Sequence, residues 1–229
     1  MNLLNSIADV LLPRYCKVCG HRLSVGEQHL CACCSLRLPV MEYHRGRVNP
    51  AENRLMGVTA LKRAASFIAY EKESDYRRIM YHLKYYGHPD VGSYLASQAA
   101  RKLMAEGFFD GVDFIVPVPL SRRKKRSRGY NQCDSIAAGI AGITHLPVRN
   151  NVVKRIVSNQ VQAKKDRLQR WRNASDIFAV TDAASLAGKH VLVVDDILTT
   201  GATLSSLIDT MRISAPDIRV SVFTLGLTD

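Results

Sequence analysis

Two adjacent carboxylates followed by a turn of small residues form the part of this sequence best suited to chemistry. After the apolar run that begins at Val191 come Asp195 and Asp196, and then the turn Thr199-Thr-Gly-Ala-Thr203. Carboxylates accept hydrogen bonds from vicinal sugar hydroxyls, and hydroxyls and amides at a helix N-terminus bind anions. Gly201 would let the backbone approach a ligand closely. An acidic strand end with a threonine cap explains only part of this array, so the segment predicts a site for a phosphorylated sugar.

Cysteines near the N-terminus form a second pattern with a chemical use. Five of the six cysteines occur within the first 34 residues, as Cys16-Lys-Val-Cys19 and Cys31-Ala-Cys33-Cys34. Two Cys-x-x-Cys pairs on one hairpin-sized segment can present four thiolates in the tetrahedral arrangement of structural zinc. We therefore predict a zinc ribbon. Its ligands would be Cys16, Cys19, Cys31 and Cys34.

Nearby side chains leave alternatives to this ligand set. Cys33 could substitute for a neighbouring cysteine, and His21 or His29 could do the same. Disulfide bonds are the competing interpretation, but no signal peptide is evident and disulfides are rare in reducing compartments. The remaining cysteine, Cys133, lies in a predicted helix rich in Ala and Ile, and we interpret it as a core residue.

Basic residues give the chain a formal charge of +12, from 32 Lys and Arg against 20 Asp and Glu. They cluster in two stretches, one between Ser121 and Gly129 and one from Arg149 to Arg172. Clustered positive charge favours phosphate-bearing ligands, whether nucleotides, sugar phosphates or nucleic acid. A solvated basic face is the alternative that charge alone leaves open.

The composition is that of an ordinary globular protein. Hydrophobic residues make up 47% and charged residues 23% of the 229 residues, which argues against disorder. No apolar run approaches the roughly 20 residues that span a bilayer, and the N-terminus lacks the basic start of a signal peptide. We expect a soluble, cytoplasmic protein without membrane insertion.

Alternating apolar and amphipathic segments predict the scaffold that positions these residues. The predicted strands are 64–70, 114–119, 191–195 and 218–225, and the predicted helices are 74–85, 93–106 and 131–141, with one more through Leu204, Leu207, Ile208 and Met211. A strand, a crossover helix and a second strand make a βαβ unit. The fold class is therefore expected to be α/β, with a mostly parallel sheet flanked by helices.

The chain is expected to have two parts. Residues 35–57 lack sustained periodicity and contain several Pro, Gly and Asn residues, which favours a boundary there. The first part would be an N-terminal segment with the cysteine ribbon over 1–48, and the second an α/β domain over 57–229. The basic stretch from Arg155 to Ser175 is too hydrophilic for a core element.

The segment Val191–Thr203 resembles the 13-residue motif of type I phosphoribosyltransferases, and the chain as a whole resembles the ComF family, which is associated with natural competence. The supporting motifs are Pro13-x-x-Cys16-x-x-Cys19, Leu83-Lys84 followed by Gly87, Val116-Pro-Val-Pro119, Arg128-Gly-Tyr-Asn-Gln132, and a basic segment with Arg155, Gln160, Arg167, Asn173 and Phe178. Together these motifs extend over nearly the entire chain.

This resemblance implies a site for phosphoribosyl pyrophosphate. Asp195 and Asp196 would hold its ribose hydroxyls, and Arg122 and Arg123 would pair with its pyrophosphate. The 5-phosphate would lie in the turn formed by Thr199, Thr200, Gly201, Ala202 and Thr203. Mg²⁺ would bridge the oxygens of the ligand, since a polyanion suits that hard cation. The stretch from Arg155 to Arg172 would correspond to a mobile loop that closes over the site.

The resemblance also implies two compatible functions. In the first, an acceptor that the sequence does not identify displaces pyrophosphate at the anomeric carbon, with Asp195 and Asp196 as catalytic residues. In the second, the chain is a non-catalytic competence accessory protein. Its ribbon and basic segments would contact single-stranded DNA or proteins of the competence machinery, and its sugar-phosphate site would serve regulation.

Overall fold

The computed structural model describes residues 13–57, 59–156 and 177–228. Its helices are α1 (Ala32–Leu36), α2 (Pro50–Leu55), α3 (Arg77–Tyr85), α4 (Asp90–Ala105), α5 (Arg122–Arg128), α6 (Gln132–Thr144) and α7 (Ala202–Ser214). Its strands are β1 (Arg63–Tyr70), β2 (Phe114–Pro117), β3 (Val153–Arg155), β4 (Phe178–Val180), β5 (His190–Leu198) and β6 (Arg219–Thr228).

A parallel sheet with strand order β1-β6-β5-β2 forms the centre of the described fold. Phe223 of β6 pairs with Ala65 on one side and with Val194 on the other. Parallel neighbours need crossover connections, which here place helices on both faces of the sheet. The predicted α/β class with a mostly parallel, helix-flanked sheet is confirmed.

The sheet separates two hydrophobic cores because successive side chains of a strand point to opposite faces. On β5, Leu192 and Val194 enter the core that α3, α4 and α6 cover. Val191 and Val193 enter the other core, against α2 and α7. Burial on both faces explains why β5 has a continuous apolar sequence rather than an alternating one.

Helix α6 is held against α4 by very close packing. A Cβ at Gly139 of α6 would lie 2.7 Å from Ser93 Cα, so only glycine fits there. Asn131 caps the start of α6 by accepting a hydrogen bond from the Cys133 amide. This packing places the first turn of α6 beside β5.

The cysteine segment packs directly on the α/β domain. Cys16, Cys31 and Cys34 belong to the same buried cluster as the side chains of α3 and α4. We refer to residues 13–37 as the ribbon.

The stretch 35–57, where the sequence shows no sustained periodicity and predicts a boundary, contains a helix. Asn49 and Glu52 form a capping box at the start of α2, and Pro50 supplies the fixed φ of a first helical residue. The helix has only six residues, too few for a visible apolar period. Before it, the Met41 amide donates to the Phe67 carbonyl, which adds a short bridge at the edge of β1.

Several predicted bounds differ slightly from those in the structure. The helix predicted from residue 74 begins at Arg77, and the strand predicted to residue 119 ends at Pro117. β3 and β4 pair antiparallel on either side of residues 157–176. Most of the predicted mobile loop and the first twelve residues of the predicted N-terminal segment lie outside the described residues. Among the described helices, none is both long and apolar enough to cross a membrane.

Candidate functional site

A cleft of about 250 Å³ lies at the carboxyl end of β5 and β2, where ligands of open α/β sheets bind. It is lined by Lys84, Val118, Pro119, Leu120, Lys124, Arg128, Gln132, Cys133, Arg155, Asp195, Asp196, Ile197, Thr199 and Thr203. The structure therefore brings the predicted carboxylates and two of the predicted threonines into one cleft. The basic residues that line it come from distant parts of the chain.

Asp195 is a buried carboxylate, only 9% exposed. Its Oδ1 accepts hydrogen bonds from the Asp196 amide at 2.8 Å and from the Cys133 thiol at 3.3 Å. Burial raises the pKa of Asp195 to about 7, and the charge of Asp196 adds to the rise. Asp195 can therefore gain or lose a proton near neutral pH, which an exposed aspartate cannot do.

Asp196 has a cationic partner from α3. Lys84 Nζ lies 3.2 Å from Asp196 Oδ2, and both side chains are largely shielded from solvent. An ion pair in such surroundings is screened much less than one at the surface. The sequence motif Leu83-Lys84 marks this lysine, but no pattern in the sequence assigned it to the carboxylates.

The turn that follows β5 is fixed by its contacts. Arg54 Nη1 of α2 donates to the Thr199 carbonyl at 2.6 Å. Gly201 adopts φ +79°, and a Cβ at this position would lie 2.8 Å from Leu55 Cδ2. Ala202 is the first residue of α7, and Thr203 follows it in the first turn. The N-terminal amides of this 13-residue helix lie at the edge of the cleft, in the arrangement that binds anions elsewhere.

Three further basic side chains line the cleft. Lys124 and Arg128 come from α5, and Arg155 from β3. Arg128 Nη1 donates to Gln132 Oε1 at 2.8 Å, which fixes its guanidinium. The predicted pyrophosphate partners Arg122 and Arg123 lie exposed in the first turn of α5 and are not among the lining residues.

Two carboxylates and four basic side chains in one lining give the cleft a defined chemistry. Carboxylates accept hydrogen bonds from sugar hydroxyls or bind a hard cation. Arg, Lys and a helix N-terminus bind phosphate oxygens. The arrangement suits a ligand that carries both hydroxyl groups and several phosphates.

The four predicted zinc ligands come together in the ribbon. The sulfur atoms of Cys16, Cys19, Cys31 and Cys34 all lie within 4.8 Å of one another. Two of these sulfurs accept backbone hydrogen bonds, Cys16 from the Cys31 amide and Cys31 from the Cys34 amide. Gly20, at φ +73°, makes the turn after the first pair. Four thiols at these distances could hold a metal such as zinc.

The surroundings of the cluster distinguish its members from the alternatives. Burial would raise the pKa of Cys16, but backbone hydrogen bonds, first from Cys19, outweigh it and lower the pKa to about 7. Cys33 is exposed and outside the cluster, and His29 lies 3.5 Å from the Asp90 carboxylate. The structure thus favours the four cysteines of the two Cys-x-x-Cys pairs as the metal ligands.

Comparison with known proteins identifies a domain family that matches this chain. Residues 89–225, more than half of the chain, match the model of the phosphoribosyl transferase domain. The solved structure of glutamine phosphoribosylpyrophosphate amidotransferase from B. subtilis, complexed with ADP and GMP, superposes with a TM-score of 0.43. The superposed regions are 17% identical and cover 63% of this chain and 30% of that one.

Two curated relatives extend the comparison. Competence protein F of Haemophilus influenzae is 34% identical over 101 residues, which are 43% of this chain and 43% of that protein. DNA utilization protein YhgH of Escherichia coli is 23% identical over 211 residues, which are 86% of this chain and 89% of that protein. The first alignment therefore spans less than half the length of the competence protein. The match of residues 89–225 shows that the chain belongs to the phosphoribosyl transferase domain family.

Proposed function

We propose that the cleft binds phosphoribosyl pyrophosphate and that the chain transfers its phosphoribosyl group to an acceptor. One observation carries this proposal. Asp195 and Asp196 line one cleft at the carboxyl end of β5, together with Thr203 from the first turn of α7 and several basic side chains. This ligand has a 5-phosphate, two ribose hydroxyls and a pyrophosphate in that order, and the cleft offers a matching group for each.

Different side chains of the cleft would bind different parts of the ligand. The turn Thr199–Thr203 would hold the 5-phosphate, since hydroxyls and helix amides bind phosphate oxygens. Asp195 and Asp196 would accept hydrogen bonds from the ribose hydroxyls. Lys124 and Arg128 would face the pyrophosphate, and we assign them this role ahead of Arg122 and Arg123, because they line the cleft.

The proposed reaction is displacement of pyrophosphate at the anomeric carbon. The acceptor forms the new bond to that carbon, the bond to the pyrophosphate oxygen breaks, and its electron pair leaves with the pyrophosphate. The chain would stabilise the departing polyanion with its fixed cations rather than supply a nucleophile. Asp195, with its pKa raised by burial to about 7, could receive a proton from a bound hydroxyl or acceptor group.

Two metal ions fit the residues present. The oxygen donors of Asp195 and Asp196 suit Mg²⁺, which would neutralise pyrophosphate charge when bound with the ligand. The four clustered thiols suit Zn²⁺ in a structural role, because four thiolates leave no open coordination position.

Calorimetric titration with phosphoribosyl pyrophosphate and Mg²⁺ tests the binding site. We expect binding by the native chain and its loss in the Asp195→Asn/Asp196→Asn variant, with the fold retained by circular dichroism. Asp209→Asn removes an exposed carboxylate from α7 and is the matched control. Normal binding by the double variant would show that the assignment is wrong. Pyrophosphate release with a panel of nucleobases and amines then tests the transfer.

A second, compatible function is binding of single-stranded DNA in natural competence. Its support is a surface where aromatic and basic side chains meet. Arg128 lies 5.1 Å above the Tyr85 ring, and Tyr85 and Tyr86 are each 63% exposed. Helix α5 beside them has no buried residue and is almost entirely basic. Bases stack on such rings while cations hold the strand backbone.

A salt titration of oligonucleotide binding tests this second function. Several phosphate contacts should give a linear loss of affinity with log salt, of slope about −0.7 per contact for a single strand. Tyr85→Ala/Tyr86→Ala should weaken binding without changing the slope. An absence of binding at low salt would exclude the function. Loss of transformation in a deletion strain, restored by the native chain, would test the role in competence.

A further inference from the structure

Helix α3 connects the cysteine ribbon to the cleft. At its start, the Tyr76 hydroxyl donates to the Cys34 carbonyl at 2.9 Å, and Arg78 Nη1 donates to the Val18 carbonyl at 2.9 Å. At its end, Lys84 Nζ lies 3.2 Å from Asp196 Oδ2. Both carbonyls belong to the ribbon, and one of them is the carbonyl of Cys34, a member of the cysteine cluster. A single helix therefore contacts both the cysteine cluster and a carboxylate of the cleft.

The packing of α3 makes it a rigid connection. Ile79, Met80 and Leu83 are buried in the core that also contains Cys16 and Cys34. The Leu83 carbonyl accepts a hydrogen bond from the Tyr130 hydroxyl at 2.8 Å, so the last turn of the helix also keeps its shape. Arg78 and Lys84 are six residues apart, about 9 Å along the helix axis. A displacement of the ribbon end would therefore move Lys84 by a similar amount.

Helix α3 also lies outside the matched domain. The match to the phosphoribosyl transferase domain covers residues 89–225, so in sequence Lys84 lies between the ribbon and the matched residues. Among the described residues that line the cleft, Lys84 is the cation that forms an ion pair with a carboxylate of the site. The charge balance of the carboxylates thus depends on an element that the ribbon holds.

We propose that the ribbon is a positioning element of the phosphoribosyl site and acts through α3 on Lys84. The folded ribbon keeps the Lys84 ammonium group against Asp196, where it holds this carboxylate in place and faces an incoming polyanion. Damage to the ribbon, or to its two hydrogen bonds with α3, releases Lys84 and weakens the site. This inference rests on the proposed function, because the effect on binding requires that phosphoribosyl pyrophosphate occupy the cleft.

Two neighbouring arginines on α3 provide a matched test. Arg78 donates to the ribbon, whereas Arg77 Nη1 donates to the Lys72 carbonyl, which is not part of it. We expect Tyr76→Phe/Arg78→Gln to weaken calorimetric binding of phosphoribosyl pyrophosphate with Mg²⁺ by about tenfold, similar to Lys84→Gln. Arg77→Gln should bind as the native chain does. Tyr76→Phe alone serves as the milder variant if the double variant does not fold.

A second measurement needs no ligand. The side-chain ¹³Cε signal of Lys84 can be assigned by its loss in Lys84→Gln, and its displacement in Asp196→Asn reports the broken ion pair. We expect the Lys84 signal to shift in the same direction in Tyr76→Phe/Arg78→Gln and on removal of bound metal with a chelator. Arg77→Gln should leave it in place.

The two measurements separate the possible outcomes. An unmoved Lys84 signal in Tyr76→Phe/Arg78→Gln, with metal still bound, would overturn the inference. If the Lys84 signal shifts in Tyr76→Phe/Arg78→Gln but the native chain binds no phosphoribosyl pyrophosphate, the proposed function is rejected. The connection from the ribbon through α3 to Lys84 is then still supported. Binding equal to that of the native chain, despite a shifted signal, would reject the effect of the ribbon on the site.

Discussion

Cys133 Sγ donates a hydrogen bond to Asp195 Oδ1 across 3.3 Å, and both residues line the cleft. The thiol is 1% exposed, in agreement with its interpretation as a core residue, yet it touches a carboxylate of the candidate site. Burial, followed by the charge of Asp195, raises the pKa of Cys133 well above its usual value, so the thiol remains protonated and acts as a donor. Cys133 is therefore a positioning residue for Asp195.

Removal of this donor should change the titration of Asp195. In Cys133→Ala the carboxylate loses a partner that stabilises its charged form, so its pKa should rise above about 7. The pH midpoint of ligand binding should then shift upward, and unfolding in urea should show a loss of about 1–3 kcal/mol. Cys133→Ser keeps a donor and should restore the native midpoint. Cys33→Ser, at an exposed cysteine, is the control, and an equal shift there would contradict this role.

Ligand binding should depend on pH because Asp195 titrates near neutrality. A hydroxyl of the ligand donates to the ionised carboxylate, whose fraction rises about tenfold between pH 6 and pH 8 for a pKa of about 7. Binding of phosphoribosyl pyrophosphate with Mg²⁺ should therefore tighten by about tenfold over that range in calorimetric titrations. In Asp195→Asn the affinity should no longer show this pH dependence. An unchanged pH profile in that variant would show that the pH dependence comes from titration of the ligand.

The same group affects the stability of the free protein with the opposite sign. Folding raises the pKa of Asp195 above the unfolded value of 3.8, so the folded state binds more protons between these values. The free energy of unfolding should fall as the pH rises from about 4 to about 7, through this group. In Asp195→Asn, urea denaturation over this range should show a smaller decrease, whereas an identical decrease would mean that other groups cause it.

The scaffold could be predicted where burial leaves a clear pattern. β1, β5 and β6 have long apolar runs because both faces of the sheet are covered. α5 has no apolar face, so no periodicity predicts it. Its ends are instead fixed by Ser121, which caps the first turn, and by Gly129 in the left-handed conformation at the end. Short strands such as β3 gave no signal because three residues are too few to show alternation.

The site was predictable where its residues are adjacent in sequence. Asp195, Asp196 and the following threonines form one local motif, and the structure keeps them together. The contact of Lys84 with Asp196 joins parts of the chain that are far apart, and only tertiary packing creates it. The same holds for the contact of Cys133 with Asp195, two residues that lie 62 positions apart in the sequence. The role of Arg122 and Arg123 rested on proximity to a predicted loop, whereas the direction of α5 turns Lys124 and Arg128 into the cleft.

Metal content should distinguish the cluster cysteines from their neighbour. Cys34 is buried and its sulfur lies within 4.8 Å of the other three, whereas Cys33 is exposed. We expect about one zinc ion per chain in the native protein and in Cys33→Ser, measured by elemental mass spectrometry. Cys34→Ser should lose the metal and unfold at lower temperature, because metal binding contributes to folding. Full metal content in Cys34→Ser would show that Cys33 can replace it.

Gly201 should tolerate no side chain, because two separate constraints act there. Its φ of +79° costs an ordinary residue about 1–2 kcal/mol, and a Cβ would lie 2.8 Å from Leu55 Cδ2. Gly201→Ala should lower the free energy of unfolding by at least that amount and weaken binding of phosphoribosyl pyrophosphate, since the turn carries the anion-binding amides. Gly142→Ala is the control, because this helical glycine has open space around it and alanine favours helix.

A second substitution separates the two constraints at Gly201. Leu55→Val shortens the side chain that the new Cβ would meet but leaves the backbone conformation unchanged. Combined with Gly201→Ala, it should recover the steric part of the loss and keep the conformational part. The double-mutant cycle in urea denaturation measures this difference directly. Strict additivity of the two substitutions would mean that contact with Leu55 contributes nothing, and that the left-handed conformation alone requires glycine at this position.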